Sequence, residues 1–449
     1  MGKSKGLSMT KGPLAGPMVR LAVPLALTGM LQQFLNTTDT LIVGRFISTE
    51  ALAAMGNNGP LVSLLINLFV GLSLGANVVI AKALGGRRFG DASAAIHTSF
   101  LLALLWGLAI TAVGEAAGAR ALRALDVPDT LIAQSELYLR IYLLALPGMA
   151  LYNFSAAVYR SKGNAKTPLY ALGAAGCLNI IFDLGTVYFG LGLAGIAAGT
   201  VVSVYLSAAL LFLALKSEHG ALRVYPGAIR WNGTFGKEIM RIGLPAGVQG
   251  MVFSLSNIVI QSAINSLGPD VIAASAAGLV LELNTYCFLF AFGQTMTTFI
   301  SQNYGAENLH RCKEVSRKGL VMFSAFNAVI SAAACLLSGP ILSLFGLSGD
   351  ILAVGQTRLY YIVGFYVLCG AEDLVSGILR GYGLSLPPAL LMLFTICVTR
   401  VVWICTVFAA NPTFETIMIS YPLSWTATLL FLVPMYFYFR NGKLGLRDA

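Results

Sequence analysis

The chain has 449 residues, of which 57% are hydrophobic and only 11% charged; soluble domains carry roughly 25% charged residues, so a water-soluble globular protein is excluded. The formal net charge of +10 raises nucleic-acid binding, yet the Lys and Arg residues are strung between apolar runs rather than gathered into one stripe, which argues against a phosphate-tracking surface. Seven cysteines lie mostly within apolar runs with no C-x-x-C pair and no His at ligand spacing, so neither a disulfide framework nor a zinc site is implied.

Twelve apolar runs of about 20 residues or more follow one another, each long enough to cross a hydrocarbon core of roughly 30 Å as a helix. The first, 14–43, follows a basic start (Lys3, Lys5, Lys11), contains Arg20 and Pro24, and carries Asn36-Thr37-Thr38-Asp39-Thr40; it is expected to be a retained helix, not a cleaved leader. The runs 59–81, 93–116 and 134–158 come next, then 168–189 with Asn179 and Asp183, then 192–215 with Thr200. A polar stretch, 216–241, reads as a linker. Beyond it lie 242–266, 271–300 with Glu282, 319–338, 354–378 with Glu372 and Asp373, 388–409 with Arg400, and 417–439.

The second six runs repeat the first. Arg20, Pro24, Gly29, Met30 and Asn36 recur 221 positions later as Arg241, Pro245, Gly250, Met251 and Asn257; further on the spacing is 220, so that Arg160, Gly163 and Pro168 answer Arg380, Gly383 and Pro388. A period this long is no solenoid, and an even number of spans per copy gives both copies the same orientation. The expected fold is therefore an all-α integral membrane protein. Twelve transmembrane helices form two parallel six-helix repeats around a central cleft, an N lobe (1–215) and a C lobe (242–449) joined by a cytoplasmic linker (216–241). Lys82, Arg87, Arg88, Arg160, Lys162, Lys166, the basic linker, Arg311, Lys313, Arg317, Lys318, Arg380, Arg440, Lys443 and Arg447 fall on one side, which puts both termini in the cytoplasm of a plasma (inner) membrane protein.

Carboxylates are expensive to place in apolar helices and mark function by default. Five do so here: Asp39, Asp183, Glu282, Glu372 and Asp373. Asn179 precedes Asp183 by one helical turn on the same face, so an amide and a carboxylate stand ready for a small cation or a shared proton; a structural hydrogen-bond pair between helices is the plainer alternative.

The duplicated plan, Thr38-Asp39-Thr40-Leu41-Ile42-Val43-Gly44, Tyr159-Arg160-Ser161-Lys162-Gly163-Asn164, the Asn179-to-Asp183 segment and Gln302-Asn303-Tyr304-Gly305-Ala306 together resemble the multidrug and toxic compound extrusion (MATE) transporters, within the flippase-like exporters, over nearly the whole chain. The resemblance implies an H⁺ or Na⁺ site in the N lobe at Asp39, Asn179 and Asp183, with Thr200 a fourth member and Pro24 the helix hinge. It implies no cofactor beyond the coupling ion. A sodium-linked branch of that family has further acids in the C lobe, but those places hold residues near Phe253 and Cys369 here. This chain offers Glu282, Glu372 and Asp373 instead, with Arg400 inside an apolar run and expected to have an acidic or carbonyl partner, Glu372 and Asp373 being the nearest candidates.

Asn153, Asn257, Gln261, Tyr286, Glu282, Glu372 and Asp373 are the expected cavity residues, Glu282 as an attractor of cationic substrates. The expected function is H⁺- or Na⁺-coupled antiport of organic, cationic or amphipathic compounds by alternating access. The alternative is a lipid-linked precursor flippase of the same superfold. No hydrolase, zincin or nucleotide-binding motif occurs, which argues against an enzyme or a directly ATP-driven pump. The partners expected are a small organic substrate and the lipid bilayer, with no nucleic acid, and the chain is expected to act as a monomer.

Overall fold

The computed structural model describes residues 8–125 and 127–442, all helix and connecting loop. Lys3, Lys5, Lys443 and Arg447, which the topology argument used, lie outside the described residues. Among the described residues eleven helical spans are long and apolar enough to cross a membrane, twelve if the bent pair Asp129–Leu143 and Leu146–Ser161 counts as one span. The first repeat comprises α1 (Ala15–Phe46), α2 (Thr49–Gly85), α3 (Phe89–Ala124), α4 (Asp129–Leu143), α5 (Leu146–Ser161), α6 (Lys166–Phe189) and α7 (Gly192–Lys216). The second comprises α8 (Gly233–Asn265), α9 (Pro269–Gly305), α10 (Leu309–Leu336), the short α11 (Ser338–Ser343), α12 (Gly349–Ile362), α13 (Tyr366–Gly381), α14 (Leu386–Met392), α15 (Thr399–Trp403) and α16 (Phe414–Asn441).

The run predicted over 134–158 is not one straight helix: α4 and α5 meet at 43°. Pro147 sits in the first turn of α5, where its missing N–H is harmless but continuation from α4 is not possible. The break frees carbonyls that hydrocarbon cannot satisfy. The Thr111 hydroxyl donates to Leu143 O at 3.0 Å and the Tyr205 hydroxyl to Leu144 O at 3.1 Å, which closes the account from neighbouring helices.

Two compact units emerge, Leu27–Gly247 and Leu7–Ala26 with Val248–Ala449. They cut across the lobe boundaries drawn from the sequence. The opening of α1 groups with the second unit, and the linker plus the opening of α8 group with the first. The changes come two residues after Pro24 and two after Pro245, the equivalent prolines of the repeats. Within unit 1, small residues make the exchange possible. A Cβ on Gly71 would collide with the backbone of Ala246 and Gly247, and one on Gly75 with that of Ile239 and Gly243, so α2 and the first half of α8 touch main chain to main chain. Within unit 2, Met9 is buried and its carbonyl accepts from Asn303 (3.2 Å) and Arg311 (3.1 Å), which seats the chain ahead of α1.

The linker is docked rather than loose. Lys162 pairs with Glu218 at 3.0 Å and Lys82 with Glu238 at 3.4 Å. The buried His97 ring uses Nδ1 toward Ser93 O at 2.7 Å and accepts the Tyr225 backbone N–H on Nε2 at 3.0 Å.

Candidate ion site and cavity residues

In unit 1, three helices converge on one buried polar point. Asp39 comes from α1, Asn179 and Asp183 from one face of α6, and Thr200 from α7; Asp39 is 6% exposed, Asn179 4% and Asp183 0%. The side chain of Asp39 meets the carboxyl of Asp183 and the hydroxyl of Thr200. Neither ionised carboxylate can donate to the other, so the pair has the chemistry to take a proton or a small cation between them. Both oxygens of Asp183, Oδ1 of Asp39 and Nδ2 of Asn179 find no hydrogen-bond partner in the protein. Buried polar atoms are almost always satisfied, so a cluster of such orphans is a site poised for a ligand.

Gly199 on α7 gives that ligand room. A Cβ there would stand 3.2 Å from Asp183 Oδ1 and 3.9 Å from Asn179 Nδ2. Tyr138 and Tyr142, stacked at 6.0 Å on α4, lie in the electrostatic reach of the acids. Around them Ile42, Val43, Ala51, Ala54, Leu193, Ile196 and Ala197 form one apolar core. The four residues named from the sequence are thus brought together, and Gly199 and the two tyrosines are additions. The i, i+4 spacing of Tyr138 and Tyr142 was a visible signal. Nothing in the sequence marked Gly199 apart from other glycines.

In unit 2 the expected cavity residues part company. Glu282, expected to attract cationic substrates, is neutralised by Arg358 at 2.7 Å, and Arg358 also donates to Ser275 Oγ at 2.7 Å. Arg358, which lies in the predicted run 354–378, is 3% exposed inside the unit. Glu282 is therefore spoken for. Arg400 takes a carbonyl partner rather than an acid: its Nε donates to Ser424 Oγ at 3.3 Å, its Nη1 to the amide oxygen Oδ1 of Asn257 at 3.2 Å, and its guanidinium lies 4.3 Å over the Tyr421 ring. Among the described residues it makes no ion pair, with Glu372, Asp373 or any other acid. Amide, hydroxyl and aromatic face stand in for the carboxylate.

Tyr286 does meet Asp373, its hydroxyl donating to Oδ2 at 3.2 Å. Glu372 is 1% exposed and its Oε2 has no partner. Gln261 donates to Asn265 along its own helix at 2.9 Å, and Asn153, in unit 1, back-bonds to Met149 O at 2.9 Å. Pro24 lies inside α1, which runs through it as one helix.

A duplicated six-helix membrane bundle with two unsatisfied acids buried side by side between helices has the build of a secondary transporter. The MatE family model matches residues 24–184 and again 245–405, and the chain belongs to that family. It is 28% identical to the probable multidrug resistance protein YoeA of Bacillus subtilis over 92% of this chain and 91% of that one. It is 24% identical to the probable multidrug resistance protein NorM of Thermotoga maritima over 85% and 83%. An outward-facing multidrug resistance MATE family transporter of the MOP superfamily has the same fold, with a TM-score of 0.89 over the whole of both chains at 20% identity.

Proposed function

We propose that this protein is a cation-coupled antiporter that exports organic, amphipathic and cationic compounds by alternating access, with H⁺ or Na⁺ bound at Asp39, Asn179, Asp183 and Thr200. One observation carries the reading: two carboxyls in contact, buried, with orphaned oxygens and a glycine-lined space beside them. Such a pair binds a cation strongly when sealed and releases it when wetted. An ion and a substrate that favour different conformations suffice to move one against the other. The drug-resistance names of the relatives argue for export of foreign organic compounds over the lipid-linked precursor reading. The clustering of basic residues on one side argues for a plasma-membrane protein with cytoplasmic termini.

The test is dye export from vesicles holding the purified chain, with a pH gradient and a Na⁺ gradient imposed in turn, for the native protein, Asp39→Asn and Asp183→Asn. Export that one gradient drives and both substitutions abolish supports the reading and names the ion. A native chain that folds and moves no dye under either gradient refutes it.

A further inference from the structure

The last helices of the two repeats fall back into a spacing of 221: Ile196, Ser203 and Ser207 of α7 answer Ile417, Ser424 and Thr428 of α16. The spacing is 220 as late as Pro168 and Pro388, so one residue enters the second copy after Pro388. The π-turn Leu393–Val398 accounts for it: a π-turn is an α-turn with one residue added, and the two stretches of the family match already stand 221 apart at their ends, residues 184 and 405, where the second π-turn, Ile404–Phe408, has only begun. Arg400 comes two residues after the first turn. At 221, each member of the unit 1 ion site finds its counterpart: Asp39 in Ile260, Asn179 in Arg400, Asp183 in Ile404, Thr200 in Tyr421.

The second copy has therefore lost both acids and gained a positive charge. Burial is kept at three of the four, with Ile260 at 1%, Arg400 at 3% and Tyr421 at 6% exposure, while Ile404 is half-buried. What surrounds the guanidinium is what a bound cation would take: the Asn257 amide oxygen, the Ser424 hydroxyl and the face of Tyr421. A mere staple between α8, α15 and α16 needs no charge, and apolar side chains would do it at lower desolvation cost.

We propose that Arg400 is a resident cation. Its guanidinium fills, inside unit 2, the counterpart of the cation site of unit 1, so the chain takes one mobile cation per cycle and its second copy takes none. The inference rests on Asp39, Asn179 and Asp183 being the ion site, and the experiment separates the two. Cation equivalents bound by the purified full chain are counted with ²²Na⁺ and, in its absence, by proton uptake. One equivalent in the native chain and none in Asp39→Asn is the expected result. Two in the native chain with one surviving in Asp39→Asn overturns the role of Arg400 and leaves the unit 1 site standing. No bound cation at all, or one that Asp39→Asn leaves in place, overturns the unit 1 site itself.

A second arm reads the guanidinium directly. Arg400→Lys keeps transport, whereas Arg400→Ala lowers it about tenfold and added methylguanidinium restores it as a free cation in the vacated place. Native transport by Arg400→Ala, or a loss that neither methylguanidinium nor lysine repairs, overturns the proposal. Should Arg400→Ala not fold, the cation count on the native chain and Arg400→Lys decides alone.

Discussion

Helix α6 and its counterpart in the second copy occupy the same place in the repeat and have become different objects. The first runs unbroken from Lys166 to Phe189 and presents Asn179 and Asp183. The second is interrupted by π-turns at Leu393–Val398 and Ile404–Phe408 and presents Arg400 between them. Satisfaction differs with charge. Unit 1 leaves the oxygens of Asp39 and Asp183 orphaned side by side, while unit 2 pairs Glu282 with Arg358, Asp373 with Tyr286 and Arg400 with Asn257 and leaves a lone Oε2 of Glu372 unmatched. Duplication supplies two scaffolds, and an acid pair that must bind and release has to be left incomplete in one of them. The other is free to be locked.

That contrast can be broken at its strong point. Asp183→Asn is expected to cut gradient-driven export on the order of 100-fold, while Ile404→Asn, the matched change in the second copy, leaves it near native; equal losses would end the asymmetry. The lock of unit 2 is tested by Glu282→Gln, which strands the Arg358 guanidinium and should cost about 3–5 kcal/mol of stability, read as a lower melting temperature with the unit 1 cation count unchanged.

Gly71→Ala probes the backbone contact inside unit 1, where overpacking costs about 1–3 kcal/mol; an unchanged melting temperature would mean that α2 and α8 are not held as closely as described. Gly199→Ser moves unit 1 toward unit 2, whose equivalent is Ser420. It should weaken cation binding about tenfold, measured by ²²Na⁺ or proton titration, because the added side chain stands against Asp183 Oδ1. The smallest effect is expected at His97→Phe, which removes the acceptor for the Tyr225 N–H; faster trypsin cleavage at Arg223 with unaltered transport is the readout.

The spans, the duplication and the acid cluster were legible because hydropathy, period and the cost of a buried carboxylate are all local in sequence. Asp39, Asn179, Asp183 and Thr200 could be named together only through family resemblance, since their convergence depends on how α1, α6 and α7 pack. The partner of Glu282 was missed for the same reason. For Arg400 an acid or a carbonyl was expected, and the amide oxygen of Asn257 takes that place beside the face of Tyr421. The return of the repeat spacing to 221 was present in the sequence, but without the π-turn there was no way to place the added residue ahead of Arg400.

The glycine contact between α2 and α8 also sets an order of birth. Five helices are made between the two, so a ribosome releases α2 with its glycine face uncovered and must finish the whole first repeat and the linker before the matching backbone arrives. The segment ahead of Pro24 waits longer still for unit 2. An exchange of two helix ends thus ties the two repeats to one reading frame.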